Sequence, residues 1–357
     1  MKPWLNLNGR TYNIDDVSSV NPKSEFESQT LNFIKAWRSG QMLFKQQTSG
    51  STGKPKTIEI SRARMIASAM LTIKALKLEE GQNSLLCLSP EYIGGKMLIV
   101  RSLLNKMNIV AIEPSANPLN KLTHKIDFAS FTPMQLFSVL EGDDAIGTAN
   151  KISKIILGGG AVSSRLHEKI QHIESQCYST YGMTETVSHI ALKKLNGPDQ
   201  SNYYKTFDEI DIDVDDRQCL TVSGSVTNFE KIYTNDRVRL IDKNQFEWLG
   251  RIDNIINSGG IKIQSEKIET TLEKLFLDTS FNHQFFIAGL KDDKLGERVT
   301  LFLEGQLDEK LKSTLNTLLP NVLDKYEIPK DILFVDHFKR TPNGKIDRNA
   351  TIAQLSD

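Results

Sequence analysis

Between residues 57 and 182 the chain alternates short apolar runs with stretches whose apolar residues recur every three or four positions. Thr57-Ile58-Glu59-Ile60 alternates as a strand, Ser61 stands where a helix cap is needed, and Ile66, Met70, Ile73 and Leu76 follow at helical spacing, with Gly81 as the stop. The runs Leu85–Leu88, Ile109–Ile112, Phe128–Phe131 and Lys154–Leu157 predict further strands. Helices are predicted over Gly95–Lys106, from Pro133, and from Gly160 to Ile173. Strands alternating with helices predict a largely parallel, buried sheet, whose ligands gather at the carboxyl ends of the strands. Gly158-Gly159-Gly160 and Tyr181-Gly182-Met183-Thr184-Glu185 both follow such strands.

Ahead of this region, residues 1–30 are polar and predict only short strands and loops, then a helix over Gln29–Arg38 and a strand ending at Gln47. Beyond Val187 the pattern changes to short antiparallel strands over 187–193, 218–223, 231–234, 237–242 and 246–249. A compact α+β segment follows, with helices near 265–276 and 308–319 and strands near 284–290 and 298–304. The expected division is a large domain over 1–252 and a small one over 253–357.

Composition removes several function classes. The 44 Lys and Arg balance the 44 Asp and Glu, so no net field favours nucleic acid or an anionic membrane. No apolar run approaches the roughly 18 residues a membrane span requires. Met1–Asn6 lacks the apolar core of a signal peptide, which makes the cytoplasm the expected location. Cys87, Cys177 and Cys219 are odd in number, widely spaced and in strand-like contexts, so buried thiols are expected. His167-Glu168 and His172 are spaced one residue too far for a zinc motif, since the two rings would stand about 140° apart around a helix.

Thr48-Ser49-Gly50-Ser51-Thr52-Gly53-Lys54-Pro55-Lys56 packs four hydroxyl side chains into its first five residues, with two glycines and two lysines among the nine. Such a loop can aim N–H groups, hydroxyls and charge at phosphates, and it can equally be a polar hairpin tip. It is not a Walker loop, because no Gly-Lys-Ser/Thr occurs at the required spacing. Downstream, in order, come Gly158–Gly160, Tyr181–Glu185, Thr234-Asn235-Asp236, Gly250-Arg251-Ile252-Asp253 and Pro342-Asn343-Gly344-Lys345. Singly, each has an ordinary reading: Tyr181 as a core aromatic, Glu185 as a cap, Asp236 as a turn residue, Lys345 as a solvated lysine.

Together, from about residue 44 to the C-terminus, the six motifs resemble the adenylate-forming superfamily of acyl-CoA synthetases. The resemblance implies an α/β fold: a large N-terminal domain with parallel-rich sheets and a distorted antiparallel, barrel-like section, and a small mobile α+β C-terminal domain. It implies ATP, Mg²⁺ and coenzyme A as reactants, and an acyl-adenylate as intermediate. Thr48, Ser49, Gly50, Ser51, Thr52, Gly53, Lys54 and Lys56 would cradle the β- and γ-phosphates. Thr184 would hold the α-phosphate, within the Tyr181-Gly182-Met183-Thr184-Glu185 motif, and Glu185 would bind Mg²⁺. Gly158, Gly159 and Gly160 would run beneath the adenine, with Tyr181 stacked on it. Asp236, assisted by Arg251, would take the ribose hydroxyls. Lys345 would stabilise the developing charge, Asp253 would be the hinge, and Gly259 and Gly260 would leave room for the pantetheine arm.

The hinge sequence, Ser89–Lys96 followed by Arg101, and Thr184–His189 are similar to the branch of that family acting on o-succinylbenzoate, a dicarboxylate. Lys96 is the expected cation for the second carboxylate, with Tyr92 and His189 lining the pocket. Alternatives are a ligase for another aryl or medium-chain acid, and a non-catalytic AMP-binding protein. A monomer or homodimer is expected. The chain departs from the family pattern in having only 47 residues before the phosphate loop, Thr57 where a glycine usually closes that loop, Asn235 for the usual glycine, and Asn254 for a common second aspartate.

Overall fold

The computed structural model describes residues 2–47, 57–279, 281, 283–341 and 345–355. The Thr48–Lys56 loop and Pro342-Asn343-Gly344 lie outside them, so these parts of the expected site receive no structural description. The architecture is mixed α/β, with one 13-stranded sheet, a 5-stranded C-terminal sheet and a 2-stranded hairpin.

The large sheet changes character along its width. Gln176–Gly182, Ile152–Leu157, Ile126–Phe131, Asn83–Leu86, Asn108–Ala111 and Trp4–Leu7 lie side by side and parallel. Their apolar side chains are buried, as the strand runs predicted, and each fully covered aliphatic side chain stabilises the fold by about 1.5–3 kcal/mol. From His189–Lys194 onward the same sheet continues antiparallel, through Tyr204–Thr206, Gln245–Arg251, Ile232–Asp242, Cys219–Gly224 and Ile210–Val214.

Several expectations are corrected. The first 30 residues do form short strands, as expected, but one of them, Trp4–Leu7, belongs to the core: Leu5 and Leu7 are fully buried, and the hairpin with Arg10–Asn13 closes the edge beside Asn108–Ala111. The first long helix starts a turn early, at Glu25, because Ser24 caps it by accepting from the Glu27 N–H. In helix Arg62–Leu76 the buried face runs through Met65, Ala69, Thr72 and Leu76, and Met70 is exposed, since Ser68 and Thr72 pack inward as small residues. The segments 231–234 and 237–242 are one bulged strand, Ile232–Asp242; Asn235-Asp236 does not interrupt it because Asp236 is hydrogen-bonded within the sheet. Cys87, Cys177 and Cys219 are buried free thiols.

The C-terminal sheet starts at Ile255–Ser258, directly after the large sheet's Gln245–Arg251, and packs against helices Ser265–Asp278 and Glu309–Val322. Among the described residues no helix is long and apolar enough to cross a membrane.

Candidate active site

The polar groups expected at the nucleotide meet where the parallel and antiparallel halves of the sheet join. Strand Gln176–Gly182 delivers Tyr181, and the pairing of Asp236 with Arg251 sets those two opposite each other on adjacent strands. The Tyr181 hydroxyl donates to Asp236 Oδ2 at 2.7 Å. The Trp248 indole N–H donates to Asp236 Oδ1 at 3.2 Å, and Arg251 Nη1 lies 3.6 Å from that oxygen. Arg251 Nη2 reaches Asp253 at 2.5 Å, and Asn235 Nδ2 donates to both oxygens of Asp253. Asn235, where the family has glycine, thus ties the expected ribose strand to the expected hinge. Arg251 Nε is buried with no hydrogen-bond partner among the described residues, a donor left for a ligand.

Tyr181 packs edge-on against Phe246, at 5.1 Å between centroids, and leans on Tyr204. Burial, then the Asp236 charge, hold its phenol well above the usual range, so it stays a donor. Trp248 was missed in the sequence; it lies three residues before Arg251, on the same strand, and reaches across the bulge at Arg237-Val238.

Lys345 comes to this group from the C-terminal segment. A bridge between Arg340 and Ile346, with the Thr341 N–H donating to the Lys345 carbonyl at 2.8 Å, sets its hairpin. Burial, then the charge of Arg251, hold its ammonium below the ordinary lysine range, while Asp236 opposes that shift. The lysine is therefore close enough to both residues for their charges to act on it.

Thr184–Thr186 forms a single 3₁₀ turn after the Tyr181 strand. The turn is pinned from behind by Arg64, another residue missed in the sequence, whose Nη2 donates to the Glu185 carbonyl and whose Nε donates to the Val226 carbonyl at 2.6 Å. Gly182 is required by contact: a Cβ there would stand 2.4 Å from the Ser188 carbonyl oxygen and from His189 Cα. Val187 has φ 67° and ψ −59°, with the Ser188 N–H on the Thr186 carbonyl at 2.8 Å. That is a γ-turn, costly for a β-branched residue, and such strain collects at functional sites. Gly158–Gly160 follows strand Ile152–Leu157, with the Gly158 N–H on the Phe131 carbonyl at 3.0 Å.

The expected acid pocket is rearranged. Lys96 donates to the Lys45 carbonyl at 2.9 Å, Gln46 Oε1 at 2.9 Å and the Glu91 carbonyl at 3.3 Å. Those bonds use all three of its donors and clamp the hairpin of Leu43–Gln47 and Thr57–Ser61, leaving none for a carboxylate. Tyr92 is exposed at the start of helix Ile93–Leu104. His189 is buried edge-on against Phe207, with Nε2 at 3.1 Å from Thr72 Oγ1 and Nδ1 at 3.3 Å from Ser188 Oγ. Burial holds it well below its usual pKa, hence neutral.

Arg101, on the same helix as Lys96, is a buried cation without a counter-charge among the described residues. It is 1% exposed, donates through Nη2 to Ser188 Oγ at 3.0 Å, and has neither a carboxylate partner nor any partner for Nε among the described residues. Burial pushes its guanidinium down to about 9. Further on, Gly259 and Gly260 form the two-residue turn of hairpin Ile255–Gln264, both with positive φ, which is a sufficient structural reason for two glycines.

A family model described as AMP-binding enzyme matches residues 10–225. A 2-succinylbenzoate–CoA ligase from Lactococcus lactis is 24% identical over 94% of this chain and 79% of its own length. Among solved structures, an acyl-CoA synthetase (AMP-forming)/AMP-acid ligase II-like protein from Dyadobacter fermentans is 40% identical, with TM-score 0.64 over 95% of this chain and 97% of that one. The O-succinylbenzoate coenzyme A synthetase of Bacillus subtilis, in complex with ATP and magnesium ion, is 22% identical, with TM-score 0.71 over 86% of this chain and 69% of that one.

Proposed function

Because this chain belongs to the AMP-binding enzyme family and is an adenylate-forming acid–thiol ligase, we propose that the acid it joins to coenzyme A is a dicarboxylate, o-succinylbenzoate. The observation that carries the choice is Arg101. A buried arginine without a counter-charge is costly, and a ligand carboxylate would supply both the charge and an acceptor for Nε. Its bond to Ser188 sets it next to the Thr184–Thr186 turn, so the second carboxylate would be held there while the first reacts. Arg101 replaces Lys96 in this role. The relatives named 2-succinylbenzoate–CoA ligases agree with this reading.

In the first step a carboxylate oxygen bonds to the α-phosphorus of ATP and the bond to pyrophosphate breaks. In the second, the sulfur of coenzyme A bonds to the acyl carbon and AMP leaves. Asp236 and the free Nε of Arg251 suit the ribose hydroxyls, with Gly158–Gly160 and Tyr181 at the adenine and Thr184 on the α-phosphate. The Thr48–Lys56 loop would take the outer phosphates. Among the described residues no three acidic, His or Cys side chains form a metal cage. The exposed Glu185 carboxylate suits Mg²⁺ together with phosphate oxygens, and the ion, when bound, neutralises phosphate charge. Lys345, within electrostatic reach of Asp236 and Arg251, would stabilise charge as pyrophosphate departs. Residues 253–357 would be a lid turning about Asp253, which would bring Gly259–Gly260 to the thiol for the second step.

The test is mass detection of the CoA thioester after incubation with ATP, Mg²⁺, coenzyme A and a panel of aryl and medium-chain acids. The o-succinylbenzoyl thioester should dominate. A panel in which only monocarboxylic acids react would refute the substrate.

A further inference from the structure

The C-terminal segment also grips a helix of the large sheet, through a contact that does not involve Lys345. Helix Ser265–Asp278 lies against helix Ser164–Ile170, the helix that follows the Gly158–Gly160 loop. There Glu273 Oε2 accepts from the Ser164 N–H at 3.2 Å and from Ser164 Oγ at 3.1 Å. The carboxylate has no cation among the described residues, so its geometry is set by Ser164. Burial pushes it above the ordinary carboxylate range, with the two Ser164 bonds opposing.

One turn earlier on the same helix, Glu269 pairs with Arg348 Nη2 at 2.9 Å and accepts from the Ile287 N–H at 2.7 Å. Arg348 is three residues beyond Lys345 and stacks over Phe286. A single helix therefore anchors the Lys345 hairpin through Glu269 and fastens to the adenine-side helix through Glu273. The Glu273 bond spans the two parts of the chain that flank Asp253, so it exists only while they keep this relative orientation.

We propose that Glu273 is a positioning residue for adenylate formation: its bond to Ser164 holds the C-terminal segment where Lys345 is within electrostatic reach of Asp236 and Arg251, and it is released before thioester formation. This rests on the two-step reading above. A charge-assisted hydrogen bond is worth about tenfold or more in an equilibrium, so closure should weaken by that order when it is lost.

The test separates the half-reactions. In Glu273→Ala, kcat/KM for ATP–pyrophosphate exchange with o-succinylbenzoate should fall about tenfold. Conversion of a supplied acyl-adenylate and coenzyme A to thioester should be unchanged or faster. Ser164→Ala approaches the contact from the other side: it should give a smaller loss in exchange, and almost none when added to Glu273→Ala. Equal losses in both half-reactions, or full exchange activity in Glu273→Ala and Ser164→Ala, would overturn the proposal. Wild-type protein that fails to exchange pyrophosphate with any acid would count against the two-step reading instead.

Discussion

Arg251 and Arg101 are both arginines whose buried Nε has no partner among the described residues, yet their surroundings differ in one respect. Arg251 has Asp236 and Asp253 within ion-pair distance, so its charge is already balanced by the protein. Arg101 has a serine hydroxyl and no acid among the described residues. A site whose charge is balanced internally suits a neutral hydroxyl, as a ribose presents. A site left with a bare buried cation suits a ligand that brings the missing charge. Under the proposed reaction the balanced side would take the ribose and the bare cation the second carboxylate, with Lys345 on the balanced side, where new negative charge would develop.

The largest expected effect breaks the balanced side. Lys345→Ala should slow acyl-adenylate formation by about 10²–10³, the usual consequence of removing one preorganised charge stabiliser, and spare thioester formation from a supplied acyl-adenylate. Rapid-quench measurement of the two half-reactions checks it, and equal slowing would remove the lysine from the first step. Because its ammonium sits below the ordinary lysine range, wild-type adenylation should also decline with rising pH before a free lysine would lose its proton.

Arg101→Met sharpens the contrast by moving activity and stability in opposite directions. It should cost about a hundredfold in kcat/KM for the diacid, as loss of a buried charge-assisted partner does, while the ligand-free protein melts no lower or even higher, since an unpaired buried charge has gone. A fall in melting temperature would contradict the account. Arg251→Met should do the reverse to stability: it strands Asp236 and Asp253, and thermal unfolding should show a loss of about 1 kcal/mol or less, because the pair is partly solvated.

The smallest effect concerns His189, held neutral by burial beside Arg101. Its folded pKa lies below its unfolded value, so the unfolded chain binds more protons between the two. That contribution to stability is complete above about pH 6.5 and is lost as pH falls towards the folded value. Against a His189→Gln variant, denaturant midpoints measured from pH 7.5 to 5 should show the extra acid sensitivity in wild type alone.

Much of the fold was legible because it rests on local signals. Apolar runs marked the buried parallel strands, and Ser61 and Pro133 marked helix starts. What failed depended on distant partners. Trp4–Leu7 shows as a short strand, but its place in the core depends on Asn108–Ala111 lying beside it. Lys96 and Arg101 are two cations on one helix, and nothing local says that the hairpin carbonyls take the first and leave the second bare. The residues that gather around Asp236 were readable as motifs, while Trp248, Arg64 and the strained turn at Val187 act through contacts across strands and loops that no spacing encodes.

The most direct test of the charge argument compares o-succinylbenzoate with an analogue whose second carboxylate is a carboxamide, in ATP–pyrophosphate exchange by wild type and Arg101→Met. The account predicts that wild type prefers the diacid by about a hundredfold and that the preference collapses in the variant. Equal kcat/KM for the two acids in wild type, or a preference untouched by the substitution, would contradict it.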